Sequence, residues 1–169
     1  CVVLFYGLFL ILQISQWINI NSPTKEHLSK NELPLIDILV AARDEQNVIS
    51  ISVERLFNLD YPADKLNIYV IDDGSEDQTP LILQALSKKY EKLKIISRKK
   101  NAGGGKSGAL NYALQFTQGE WILILDADAQ LKNDTLIKLF NFAHEGSWNA
   151  VQLRKAVSNT SKNILTSCQ

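Results

Sequence analysis

Apolar runs of strand length alternate with helix-period stripes from Leu35 to Leu153, and that alternation leaves few folds open. Leu35 to Ala42, rich in Ile, Leu and Val, reads as a buried strand. From Asp44 to Leu59 the residues Val48, Ile49, Val53, Leu56, Phe57 and Leu59 form a helical stripe, which Tyr61-Pro62 ends. Leu66 to Ile71 is a second strand, Thr79 to Tyr90 a second helix and Leu93 to Ser97 a third strand. Gly103-Gly104-Gly105 is a loop before a third helix, Ser107 to Phe116. Glu120 to Leu125 is the next strand, Asn133 is expected to cap a helix running to about Ala143, and Trp148 to Leu153 is the last apolar strand. The expectation is an α/β fold, a mostly parallel sheet with helices on both faces.

In such sheets ligands bind beyond the carboxyl ends of the strands. Three polar clusters fall there: Asp72-Asp73-Gly74-Ser75, then Gly103-Gly104-Gly105-Lys106-Ser107-Gly108, then Asp126-Ala127-Asp128. Carboxylates one residue apart suit a hard divalent cation that keeps water and takes phosphate oxygens as further ligands. A glycine loop lets backbone amides approach an anion, and Lys106 adds a positive charge where a helix begins. Such a site would hold a diphosphate leaving group and neutralise the charge that builds on it. Asp72 or Asp73 can instead accept hydrogen bonds from a base or ribose. Each cluster alone is also an ordinary turn, strand end or flexible loop. Their order, spacing and common placement make the combination specific.

The 18 basic and 18 acidic residues balance, which argues against a nucleic-acid surface and makes any anion binding local. Arg98-Lys99-Lys100 reads as a solvated loop, His27 as a linker residue and His144 as a cation suited to a helix end. Trp121 and Trp148 open strands as packing residues. Cys1 and Cys168 sit at opposite ends without metal-ligand spacing. Val2 to Ile20 is almost wholly apolar, and no charge appears before Lys25. Residues 1–20 are therefore expected to be a transmembrane helix or membrane anchor, with Trp17 near an interface. A signal peptide fits poorly, because no small-residue cleavage site follows. Residues 21–34 read as a juxtamembrane linker, and residues 35–169 as the soluble part. The chain lacks methionine and begins on Cys1, so residues before it are expected to be missing.

Asp72-Asp73-Gly74-Ser75, Gly105-Lys106-Ser107-Gly108-Ala109-Leu110-Asn111 and Asp126-Ala127-Asp128 together resemble the GT-A family of inverting glycosyltransferases. That family includes the cellulose, chitin, hyaluronan and poly-N-acetylglucosamine synthases. Ala41-Ala42-Arg43-Asp44-Glu45 is similar to the turn after its opening strand, with Arg43 and Asp44 where Tyr and Asn are commoner. The match runs from about Leu35 to Arg154. It implies a Rossmann-like GT-A sheet that binds a nucleotide-sugar donor, UDP-linked, with Mn²⁺ or Mg²⁺. Asp73, with Asp72 beside it, would contact the uracil and ribose, and Ala42 and Glu45 would lie beside the nucleoside. Lys106 would approach the diphosphate or uracil. Asp128 would ligate the metal, with Asp126 facing it, the ribose or the sugar. Gln152 and Arg154 resemble a polar segment lining the donor and acceptor pocket. The acceptor would be a glycan or lipid, and the enzyme would sit at the plasma or inner membrane with its catalytic domain cytosolic.

An inverting transfer needs a base to take the acceptor proton. In the family that base is a carboxylate well downstream of the metal-binding pair, and only Asp134 and Glu145 follow Asp128 here. The chain is therefore expected to bind nucleotide without transferring sugar efficiently, its base lying beyond Gln169. Among rivals, a P-loop fails because Lys100 stands where its first glycine is needed. A sugar nucleotidyltransferase would carry a glycine- and arginine-rich loop after the first strand, where Ala41 to Glu45 has no glycine. A phosphoacceptor receiver would place its acidic pair after the first strand rather than the second. A non-catalytic, membrane-tethered nucleotide-binding module is the non-enzymatic alternative.

Overall fold

The computed structural model describes residues 28–100 and 102–153. The expected membrane helix, residues 21–27 of the linker, both cysteines, His27 and Arg154 lie outside the described residues. Four strands, β1 (Ile36–Ala42), β2 (Leu66–Asp72), β3 (Leu93–Ser97) and β4 (Trp121–Asp126), form one sheet in the order β3-β2-β1-β4. Every pairing is parallel, as strand–helix alternation requires. The helices are α1 (Ile49–Phe57), α2 (Thr79–Lys89), α3 (Gly105–Leu114) and α4 (Thr135–Glu145), with a 3₁₀ turn at Ala63–Lys65.

The pleat divides the side chains between two cores. Ile36, Ile38, Val40, Ile68 and Val70 face the larger one, together with residues of α1, α2 and α4 such as Val53, Leu83 and Phe140. Leu39, Tyr69 and Ile71 face the other way, against Ala109 and Ala113 of α3. Two alanines let α3 approach the sheet closely. That helix packs on β1 and β2 and leaves Ile122 and Ile124 of β4 exposed.

One carboxylate is buried at the amino end of the sheet. Asp37 has no exposed surface. The backbone N–H groups of Gln118 and Gly119 donate to its Oδ2 at 2.5 and 2.8 Å, and Asn67 Nδ2 donates to its Oδ1 at 2.7 Å. Asp37 thereby ties the turn before β4 to β1.

Tyr61 is a second anchor, its hydroxyl donating to the Pro34 carbonyl at 2.6 Å. Burial, and behind it the Glu120 carboxylate, push this phenol above its ordinary value. The native state thus holds the proton more tightly than the unfolded chain. That contribution is complete below about pH 10 and shrinks as pH rises past it. Urea unfolding across this range is expected to show a steeper alkaline loss of stability for wild type than for Tyr61→Phe.

Three sequence expectations need correction. The first helix begins at Ile49 rather than Asp44, because Asp44 stands at φ 55°, outside the right-handed helical region. Asn133 does not cap α4: Asp134 holds that position, and the Asn133 carbonyl accepts from Asp60 N at 2.9 Å. Trp148 to Leu153 forms no strand. Val151 and Leu153 pack on the main core without a ladder, so the run gains burial without pairing, while Trp148 is exposed. Trp121 does pack, edge-on to Phe140 at 5.5 Å.

Candidate active site

Beyond the carboxyl ends of β1, β2 and β4 lies a cleft of about 490 Å³. Ala41 to Arg43, Glu45, Asp73, Gly105, Lys106 and Asp126 to Asp128 line it. Register explains the convergence. Ala42 pairs with Asp72 and Ala41 with Asp126, so the end of β1 is a small-residue floor between two acidic strand ends.

Alternation then decides which carboxylates face the cleft. Ala127 is buried in the main core, and its neighbours Asp126 and Asp128 emerge beside the cleft. Asp72 is buried, and its Oδ1 accepts from Ser75 N at 3.0 Å, so it shapes the turn and is not part of the lining. Asp73 turns the other way. Arg98 Nη1 donates to its Oδ1 at 2.6 Å, with the two side chains only 8% and 12% exposed. The same guanidinium donates through Nη2 to the Gly103 carbonyl at 2.8 Å. Arg98 is therefore not the solvated loop residue the sequence suggested. Its position directly after β3, at the same sheet end as the other clusters, was the available signal.

Gly103, Gly104 and Gly105 have φ of 80, 75 and 51°, three successive left-handed residues that side chains would disfavour. They deliver the chain into α3, which starts at Gly105, two residues before the expected Ser107. A Cβ on Gly108 would stand 2.6 Å from the Gly103 carbonyl, so that position needs a glycine as well. The α3 amino terminus and Lys106 thus sit at the cleft, where an anion is favoured. Lys106 Nζ forms an ion pair with Asp126 Oδ1. Asp128 is exposed and makes no hydrogen bond or ion pair with the described residues.

The loops that follow β1 and β2 are joined to each other. Asp44 N donates to Ser75 Oγ at 3.0 Å, Glu45 N to Thr79 Oγ1 at 2.9 Å and Gln46 N to Asp77 Oδ2 at 3.0 Å. Glu76 N returns a bond to Asp44 Oδ1 at 2.7 Å, with Asp44 itself at φ 55°. Burial works against the Asp77 charge, but the Thr79 hydroxyl and the Thr79 and Gln46 amides outweigh it and hold this carboxyl below its ordinary value. Glu45 is held at the cleft by this lattice. Gln152 is exposed and does not line the cleft.

Among the described residues no group of three or more His, Cys, Asp or Glu side chains is arranged to hold a metal. Asp126 and Asp128 offer a partial donor set at the cleft, which fits a cation shared with ligand phosphates and water.

A parallel sheet with carboxylates, a glycine loop and a lysine gathered at one end of its strands defines a nucleotide-binding α/β protein. The profile of Glycosyl transferase family 2 matches residues 37–166, and the chain belongs to that family. It is 45% identical over 140 residues to beta-monoglucosyldiacylglycerol synthase of Trichormus variabilis, covering 83% of this chain and 30% of that protein. The chain thus spans under a third of the length of this curated relative. Among solved structures, it is similar to the Pyrobaculum calidifontis mannosyltransferase PcManGT in complex with GDP-Man and Mn²⁺. That likeness has a TM-score of 0.64 and 27% identity, over 80% of this chain and 39% of that one. It also resembles S. aureus TarS 1-349 in complex with UDP-GlcNAc, with a TM-score of 0.58 and 25% identity, covering 76% and 38%. The sheet and its flanking helices are GT-A-like.

Proposed function

We propose that residues 28–153 form the donor-binding part of a metal-dependent, inverting glycosyltransferase that uses a UDP-linked sugar. The observation that carries this reading is the cleft itself. It brings Glu45, Asp73, Lys106, Asp126 and Asp128, from loops distant in sequence, to one end of one sheet. Asp73 and Glu45 would meet the nucleoside, Lys106 the diphosphate, and Asp128 with Asp126 the divalent cation. Bound there, the cation would offset charge on the departing diphosphate. Asp72 supports the site by holding the turn that aims Asp73.

The acceptor is proposed to be a lipid or glycan at a membrane, with a lipid favoured by the likeness to a glucosyldiacylglycerol synthase. The apolar residues 1–20 would anchor the chain there, with the cleft on the cytosolic side. The base is assigned outside the described residues. Neither Asp134, which pairs with Lys138, nor Glu145 lines the cleft.

Calorimetric titration with UDP tests this. Mn²⁺ is expected to tighten UDP binding about tenfold, a coupling of usual size for linked sites. Asp128→Ala should remove that gain while leaving metal-free binding in place. A folded chain that binds no UDP with or without Mn²⁺ would exclude the reading. The non-catalytic module would bind UDP in the same way, and sugar transfer by the complete protein separates the two.

A further inference from the structure

Two cationic side chains hold the carboxylates around the glycine loop, and they hold them differently. Arg98 and Asp73 are almost wholly withdrawn from water, and the same guanidinium donates to the Gly103 carbonyl, so that pair is part of the fold. Lys106 and Asp126 are 48% and 36% exposed, and their side chains meet at the open cleft. An ion pair this exposed contributes little, because water and salt compete for both partners. It is an exchangeable contact.

We propose that Lys106 is a placeholder for the divalent cation, occupying the Asp126 carboxylate until a diphosphate draws it away. The inference rests on the donor site proposed above. With Lys106 on Asp126, the pair of carboxylates at the end of β4 offers a cation only Asp128 uncommitted among the described residues, and the nearby ammonium repels it. A diphosphate gives the ammonium a more highly charged partner. Lys106 then leaves Asp126, and the two carboxylates with the phosphate oxygens complete an oxygen donor set of the kind a hard cation takes. Metal and nucleotide binding are therefore coupled through one lysine. By linkage each tightens the other by the same factor.

The experiment uses the full chain and Mn²⁺ alone, read from the electron paramagnetic resonance signal of free Mn²⁺. Lys106→Gln is expected to bind Mn²⁺ about fivefold more tightly than wild type without nucleotide, matching the upper range for an exposed ion pair. Lys106→Arg should stay within about twofold of wild type, since it keeps the pair. The gain should vanish when Asp126→Asn is combined with Lys106→Gln, which ties it to that carboxylate. Adding UDP should tighten Mn²⁺ binding to wild type more than to Lys106→Gln. Equal or weaker Mn²⁺ binding by Lys106→Gln overturns the inference, and so does the absence of Mn²⁺ binding in both proteins. A failure to bind UDP removes the donor-site reading, whereas the metal-only comparison still reports on Lys106.

Discussion

Asp37→Ala is expected to lower the thermal unfolding midpoint by roughly 10 °C, an effect centred far from the cleft. The carboxylate is fully buried and accepts three hydrogen bonds, two of them from the backbone amides that start the approach to β4. Alanine leaves those donors with neither partner nor water, at a cost of about 3 kcal/mol. For a domain of this size that loss corresponds to roughly 3 °C per kcal/mol. Asp37→Asn should be much milder, because its amide oxygen still accepts from Gln118 and Gly119 while Asn67 can turn its own oxygen inward. Differential scanning calorimetry distinguishes the two, and an alanine variant melting within a few degrees of wild type would show that the turn is tied down by other means. UDP affinity of the folded fraction should not change. Asp37 lies five residues before Ala42 along β1, about 17 Å at the rise of a strand.

The second large effect is expected at Arg98. Removing the guanidinium strands Asp73 as a desolvated carboxylate and leaves the Gly103 carbonyl without its donor. Arg98→Ala should cost about 3 kcal/mol of stability, the range for breaking a buried pair. It should also weaken UDP binding at least about tenfold, because the carboxylate proposed to meet the nucleoside and the loop proposed to meet the phosphates lose their common support. Lysine should not restore either property: a single ammonium cannot reach the carboxylate and the carbonyl in the fork geometry that arginine provides. Chemical denaturation and calorimetry on the same samples give both numbers. Wild-type stability in Arg98→Lys would mean that charge alone, rather than geometry, supports Asp73.

These two residues also mark where reading the sequence stops. The sheet was legible because each strand is a dense Ile, Leu and Val run, and the acidic and glycine clusters were legible because they interrupt those runs abruptly. Which carboxylate of a pair does what was not. Asp72 and Asp73 are chemically identical, and only the pleat decides that one caps a turn while its neighbour faces the cleft. Asp37 sits inside an apolar strand with no local partner; its three donors are 30 to 82 residues away in sequence. Arg98 sits in a basic run that looks like solvated surface, and its burial depends on a glycine loop folding over it. The late start of α1 has the same origin. Asp44 takes a left-handed φ of 55°, with its carboxylate accepting from Glu76 N 32 residues away, and neither is written in the local sequence. The missing last strand shows the converse, since Val151 and Leu153 satisfy an apolar pattern by packing alone.

The strand order makes the cleft a measuring device. Its two acidic ends belong to β2 and β4, which flank β1, so their separation is two inter-strand steps, about 10 Å. Backbone hydrogen bonding sets that gauge, and no side-chain exchange alters it. A molecule much shorter than this span can touch one end or the other but not both. Drift in substrate choice among chains built this way is thereby channelled into the groups that project past the two ends, while the length of the part lying between them is held constant by the sheet.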